Sequence, residues 1–160
     1  MAELDKRAED VLRNNIEILY SQLDSSIQDF FKYGYHKREI RYINAYLSAT
    51  LNAIISYVER LIKVGCMSET ETVLALKFAN NLQKHEAQLI SISKPEGGFT
   101  LPFSLEGGFS IPKIEVLWDD CIGLSTKYTS QREAYEKLLK KKPIIETLEP
   151  IVRELLNGEK

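Results

Sequence analysis

The chain predicts an all-α fold, an antiparallel helical bundle of five to six helices with a small β-hairpin inserted between the third and fourth. Three observations lead there. Apolar residues recur at steps of three and four along most of the sequence, glycine, proline and capping signals interrupt that rhythm at intervals, and one stretch with paired glycines changes to a period of two. With 160 residues, 44% of them apolar and 28% charged, the chain is expected to form one domain over 1–160. A domain of that length buries enough surface to stand without disulfides or a structural metal.

The first stripe runs through Leu4, Ala8, Val11, Leu12, Ile16, Leu19, Leu23, Ile27 and Phe30, which is one face of a long helix over Glu3 to Phe31. Gly34, between Tyr33 and Tyr35, suits the left-handed residue that closes a helix. A second stripe of Ile40, Ile43, Leu47, Leu51, Ile54, Val58, Leu61 and Ile62 ends at Gly65, and a tight turn between two such helices makes them antiparallel. Ser68-Glu69-Thr70-Glu71 fits a capping box that opens a third helix. That helix carries Val73, Leu74, Phe78, Leu82, His85, Leu89 and Ile92 on its apolar side until Pro95.

Beyond Pro95 the period shortens. Glu96-Gly97-Gly98-Phe99-Thr100-Leu101-Pro102 recurs ten residues later as Glu106-Gly107-Gly108-Phe109-Ser110-Ile111-Pro112. The alternation predicts a hairpin at about 97–114 that turns at Glu106-Gly107-Gly108, with proline leaving each arm a free edge. An isolated ribbon is barely stable in water. Its apolar side chains therefore rest on the bundle or on another molecule. Ile114, Leu117, Trp118, Cys121 and Ile122 resume a helical rhythm, weakened by Gly123. Ser130-Gln131-Arg132-Glu133 resembles a second capping box, and Pro143 opens a last helix that Pro150 should kink or restart and Gly158 should end.

Catalytic chemistry finds little support. The sequence has no GxSxG elbow, phosphate-binding glycine loop, HExxH or CxxC, and of its two histidines His85 falls on an apolar stripe, where a satisfied core residue is the simpler reading. No enzyme activity, cofactor or metal is expected. Glu115, Asp119 and Asp120 gather carboxylates on neighbouring helical turns, but an exposed acidic face accounts for them. Cys66 and Cys121 read as two buried thiols in a reducing compartment. The charged start of the chain and the lack of an apolar run near ~18 residues point to a soluble, cytoplasmic protein with no membrane partner.

Two surfaces remain as candidates. The hairpin residues Phe99, Leu101, Phe103, Leu105, Phe109 and Ile111 form an apolar, charge-poor face suited to docking a protein partner or a second copy of the chain. The first functional expectation is accordingly a non-catalytic adaptor or scaffold subunit of a larger assembly. The second is a nucleic-acid-binding accessory subunit. Tyr35, His36, Lys37, Arg38, Arg41 and Tyr42 surround the start of the second helix, where cations favour an external phosphate and tyrosines offer faces to bases. The alternative for that basic cluster is attraction within the bundle. Residues 1–35 hold 4 basic and 7 acidic side chains, a net of −3, and residues 36–65 hold 5 basic and 2 acidic, a net of +3. Lys140-Lys141-Lys142 is read as a solvated helix end.

Overall fold

The computed structural model describes residues 5–32, 37–85, 90–92, 115–120 and 128–158, with the backbone alone at Lys37, His85 and 90–92. Most of these residues are helical, in α1 (Lys6–Lys32), α2 (Lys37–Lys63), α3 (Glu71–His85), α4 (Thr129–Leu138) and α5 (Ile144–Asn157). Two short strands, β1 (Ile90–Ile92) and β2 (Val116–Trp118), pair antiparallel with Ile90 opposite Trp118 and Ile92 opposite Val116.

The apolar stripes decide how α1 and α2 meet. Ile16, Leu23, Ile27 and Phe30 are buried on α1, and Ile43, Leu47, Leu51, Ile54 and Val58 are buried on α2. At one end the Tyr57 hydroxyl donates to Glu9 Oε1 at 2.9 Å and accepts from Arg13 Nε at 3.1 Å. At the other end Asp29 and Arg38 border the same cleft, so the two helices run in opposite directions. Gly65 closes α2 with φ +79°, and its neighbours complete a Schellman motif. The Cys66 N–H donates to Leu61 O at 2.9 Å and the Gly65 N–H to Ile62 O at 3.1 Å.

That turn carries Cys66 outward. Its thiol is exposed, which corrects the expectation of a buried cysteine, because a chain leaving a helix through a left-handed glycine points away from the packed stripe. The cap of α3 also differs from the expected box. Thr70 rather than Ser68 accepts the Val73 N–H, at 3.3 Å, and helical residues begin at Glu71. Thr70 stands directly before the helix, where its hydroxyl reaches a first-turn amide that Ser68 would reach only in a longer helix. No side-chain cap bond opens α4, whose N-cap is Tyr128, so Ser130 lies inside the first turn.

Two helical readings are overturned by strands. α3 ends at His85 instead of continuing to Ile92, and Ile90–Ile92 pairs with Val116–Trp118, which was expected to be helical. Val116 and Trp118 are buried while Leu117 is less so, a period of two that three residues are too few to reveal against a neighbouring three-and-four rhythm. The backbone of Lys140–Lys142 joins this ladder, while the Lys141 and Lys142 side chains stay exposed just past the end of α4, as the sequence leads one to expect. The Trp118 N–H donates to Lys142 O at 3.1 Å, and Trp118 O accepts the Lys141 N–H at 3.0 Å. Pro143 stands at the N-cap of α5, and α5 continues unbroken through Pro150 to Asn157, with Gly158 as its C-cap.

The rest of the core gathers around Trp118 and Tyr135, both fully buried. Their rings meet edge to face at 6.2 Å, and Phe78 of α3 packs against Tyr135 at 5.2 Å. Ile144, Leu148, Ile151, Val152 and Leu155 supply the buried face of α5. The hairpin expected at 97–114, the Gly34 turn and the segment of Cys121, Ile122 and Gly123 lie outside the described residues, as does the surrounding of the His85 side chain.

Candidate functional site

The first candidate surface is reached through its base. All six apolar residues from Phe99 to Ile111 lie outside the described residues, but the strands that flank them do not. Ile92 and Val116 are direct partners, so the ends of the intervening segment sit side by side. Trp118 fixes that base to the core through its indole N–H, which donates to Thr147 Oγ1 at 2.7 Å. Tyr135 adds a second tie, its hydroxyl donating to Asp119 O at 2.8 Å.

The carboxylates near this base are held by their own chain. Asp119 Oδ1 accepts the Asp120 N–H at 2.8 Å, and Asp120 pairs with Lys141 at 3.0 Å and more loosely with Lys140 at 3.9 Å. Glu115, Asp119 and Asp120 flank a strand instead of sharing a helix face, because Val116–Trp118 is extended. Among the described residues, no three histidine, cysteine, aspartate or glutamate side chains come together as metal ligands would.

The second candidate surface is a cleft of 460 Å³ between the second half of α1 and the first half of α2. Gln22, Ser25, Ser26 and Asp29 form one wall, a consequence of their spacing along one side of α1. Arg38, Glu39, Tyr42 and Tyr46 form the other. The tyrosine rings stack at 6.4 Å with 20° between their planes, and the Arg38 guanidinium lies 5.8 Å from the centre of Tyr42. Tyr42 remains 46% exposed, which leaves a flat aromatic surface at the mouth. Small side chains at Ser25 and Ser26 open the space, and the Ser26 hydroxyl is turned back onto Gln22 O at 2.8 Å.

Of the basic cluster expected from the sequence, Arg38 and Tyr42 come together at this cleft and Arg41 is exposed on the same helix. Lys37 begins α2, while Tyr35 and His36 lie outside the described residues. The sequence reading missed Tyr46, Glu39 and the whole α1 wall. Tyr42 and Tyr46 stand four residues apart, the spacing of stacked neighbours on a helix, and that signal was available. The α1 wall had none, since serine and glutamine at these positions become a cleft only once α2 is packed against them. No helix among the described residues is long and apolar enough to cross a membrane. Comparison with known proteins finds no matching family, no matching curated protein and no matching solved structure.

Proposed function

We propose that the chain is a non-catalytic, cytoplasmic interaction subunit whose helical bundle presents an apolar hairpin at about 97–114 to a protein partner or a second copy. The observation that supports this reading is the pairing of Ile92 with Val116 at a base tied into the core by Trp118. A segment whose two ends are already fixed together loses less conformational freedom on binding than a free loop of equal length. The alternation of Phe99, Leu101, Phe103 and Leu105 with polar or proline positions would give that segment one face able to anchor an interface. Phe103→Asp and Phe109→Asp test it. Each is expected to abolish capture, through the hairpin, of a partner or a second copy, while lowering the melting temperature by only a few degrees. Collapse of the fold in both variants, or partner capture unchanged from wild type, would refute the docking role.

A second reading draws on the Arg38 and Tyr42 pairing. A cation stacked on an exposed tyrosine beside Arg41 is an arrangement that single-stranded nucleic acid can use, with phosphate on the guanidinium and a base on the ring. Changing Lys37, Arg38 and Arg41 together to Glu should then remove binding of single-stranded oligonucleotides at low salt. Oligonucleotide affinity that is absent in wild type, or equal in the variant, excludes this use.

A further inference from the structure

The outward side of α1 holds an apolar pair that the core does not use. Val11 is 52% exposed and Ile18 is 60% exposed, and they stand seven residues apart on one line along the helix. Continuing that line in both directions from Ile18 meets Asn14 and Val11 and then Arg7 towards the start, and Gln22 and Ser25 and then Asp29 towards the end. All of these side chains are exposed. At about 100° per residue they fall within about 40° of Ile18 around the helix axis. The steps read 4, 3, 4 on either side, so the stripe is symmetric about Ile18 in spacing.

It is also complementary in chemistry under reversal. We propose that α1 pairs antiparallel with α1 of a second copy of this chain, across a two-fold axis at Ile18. In that register Ile18 meets its own equivalent, Asn14 faces Gln22, Val11 faces Ser25, and Arg7 faces Asp29, each contact occurring twice. Amide meets amide, and Arg7 meets Asp29, the only anion of the stripe; Lys32, one step of three beyond Asp29, is a second exposed cation at that end, and its counterpart, position 4, lies outside the described residues. A parallel pairing would instead set Arg7 against Arg7 and Asp29 against Asp29. Charge complementarity thus selects both the occupant and its direction. The cleft beside Tyr42 gains from it, because Asp29 and Glu39 outnumber Arg38 there and the second copy's Arg7 supplies a cation at the mouth. Glu17 lies on the flank of the stripe, about 100° from Ile18, and the two Glu17 carboxylates approach across the axis. The pairing is therefore weak and concentration-dependent.

This surface is independent of the segment at 97–114, and the test separates the two. Sedimentation velocity of the full chain from about 5 to about 500 µM is expected to move from the 18.4 kDa monomer towards twice that mass. Ile18→Glu should weaken association at least about tenfold with the melting temperature nearly unchanged, since that side chain faces solvent in the monomer. Arg7→Asp and Asp29→Arg should each weaken it, the double exchange should restore it, and Glu17→Gln should tighten it. Phe103→Asp should leave it in place. A monomer over the whole range, a dimer indifferent to Ile18→Glu, a failed restoration by the double exchange, or loss of the dimer in Phe103→Asp would each overturn the proposal.

Discussion

The Trp118 indole N–H donates to Thr147 Oγ1 at 2.7 Å, joining β2 to the first turns of α5 across 29 residues of sequence. Thr147 can serve because its own proton goes back to Pro143 O or Ile144 O, each at 2.9 Å. The hydroxyl thus accepts from the tryptophan and donates to its helix at the same time. Thr147→Val keeps the shape and removes the acceptor, leaving a fully buried indole N–H without its partner. The expected loss is about 1–3 kcal/mol, read as a lower urea midpoint, whereas Thr147→Ser should lose much less. Equal stability of the valine and serine variants would show that this bond does not hold the base of the segment.

Tyr57 links the ends of α1 and α2, and its ionisation should contribute to the loss of stability at alkaline pH. Burial raises its pKa above the ordinary value, and the bond to Glu9 adds to that rise, while the bond from Arg13 opposes it. A hydroxyl that holds its proton more tightly when folded contributes fully below about pH 10, and its contribution is lost as pH climbs through the folded value. Tyr57→Phe should therefore cost about 0.5–1.5 kcal/mol near neutrality and flatten the fall in stability above pH ~10. Glu9 and Arg13 would still pair with each other at 2.7 Å, which keeps the cost modest. Tyr20 is raised as well, chiefly by burial, so some alkaline slope should remain in the variant.

Lys141 adopts φ +56°, a left-handed conformation in which a side chain is strained. It is needed there because Lys141 N–H and Lys142 O must both turn towards Trp118 within two residues. Lys141→Gly relieves the strain but gives up the 3.0 Å pair with Asp120, so its stability should stay within about 1 kcal/mol of wild type. Lys141→Val adds a branched side chain to the same backbone and should cost about 1–2 kcal/mol. Chemical denaturation of the two variants side by side reads the difference. A valine variant as stable as the glycine variant would mean that this turn has changed its conformation.

These residues also mark what the sequence makes legible. Long stripes such as Ile43, Leu47, Leu51, Ile54 and Val58 repeat often enough that a helical period stands out, and Gly65 ends its helix as expected. Val116–Trp118 and Ile90–Ile92 do not, because three residues hold only one and a half cycles of a strand and their identity comes from partners far along the chain. In the lysine run charge correctly predicts exposed side chains at Lys141 and Lys142, but nothing in it shows that the backbone is recruited by Trp118. For the cleft, Arg38 and Tyr42 were visible as a basic, aromatic helix start. Ser25, Ser26 and Asp29 took on meaning only when α1 was laid beside α2.

Pro150 provides the last test, because it sits inside α5 without breaking it. Proline there has no N–H to donate to the preceding turn, and its ring crowds the carbonyl four residues back. The helix persists because Ile144, Leu148, Ile151, Val152 and Leu155 bury one continuous face on both sides of it, and tertiary packing outweighs the local penalty. Pro150 itself is exposed, so replacing it disturbs no buried contact. Pro150→Ala restores a backbone donor and a strong helix former, and should raise stability by about 1–3 kcal/mol, seen as a higher melting temperature. A fall in stability would mean instead that the surrounding packing depends on the proline bend.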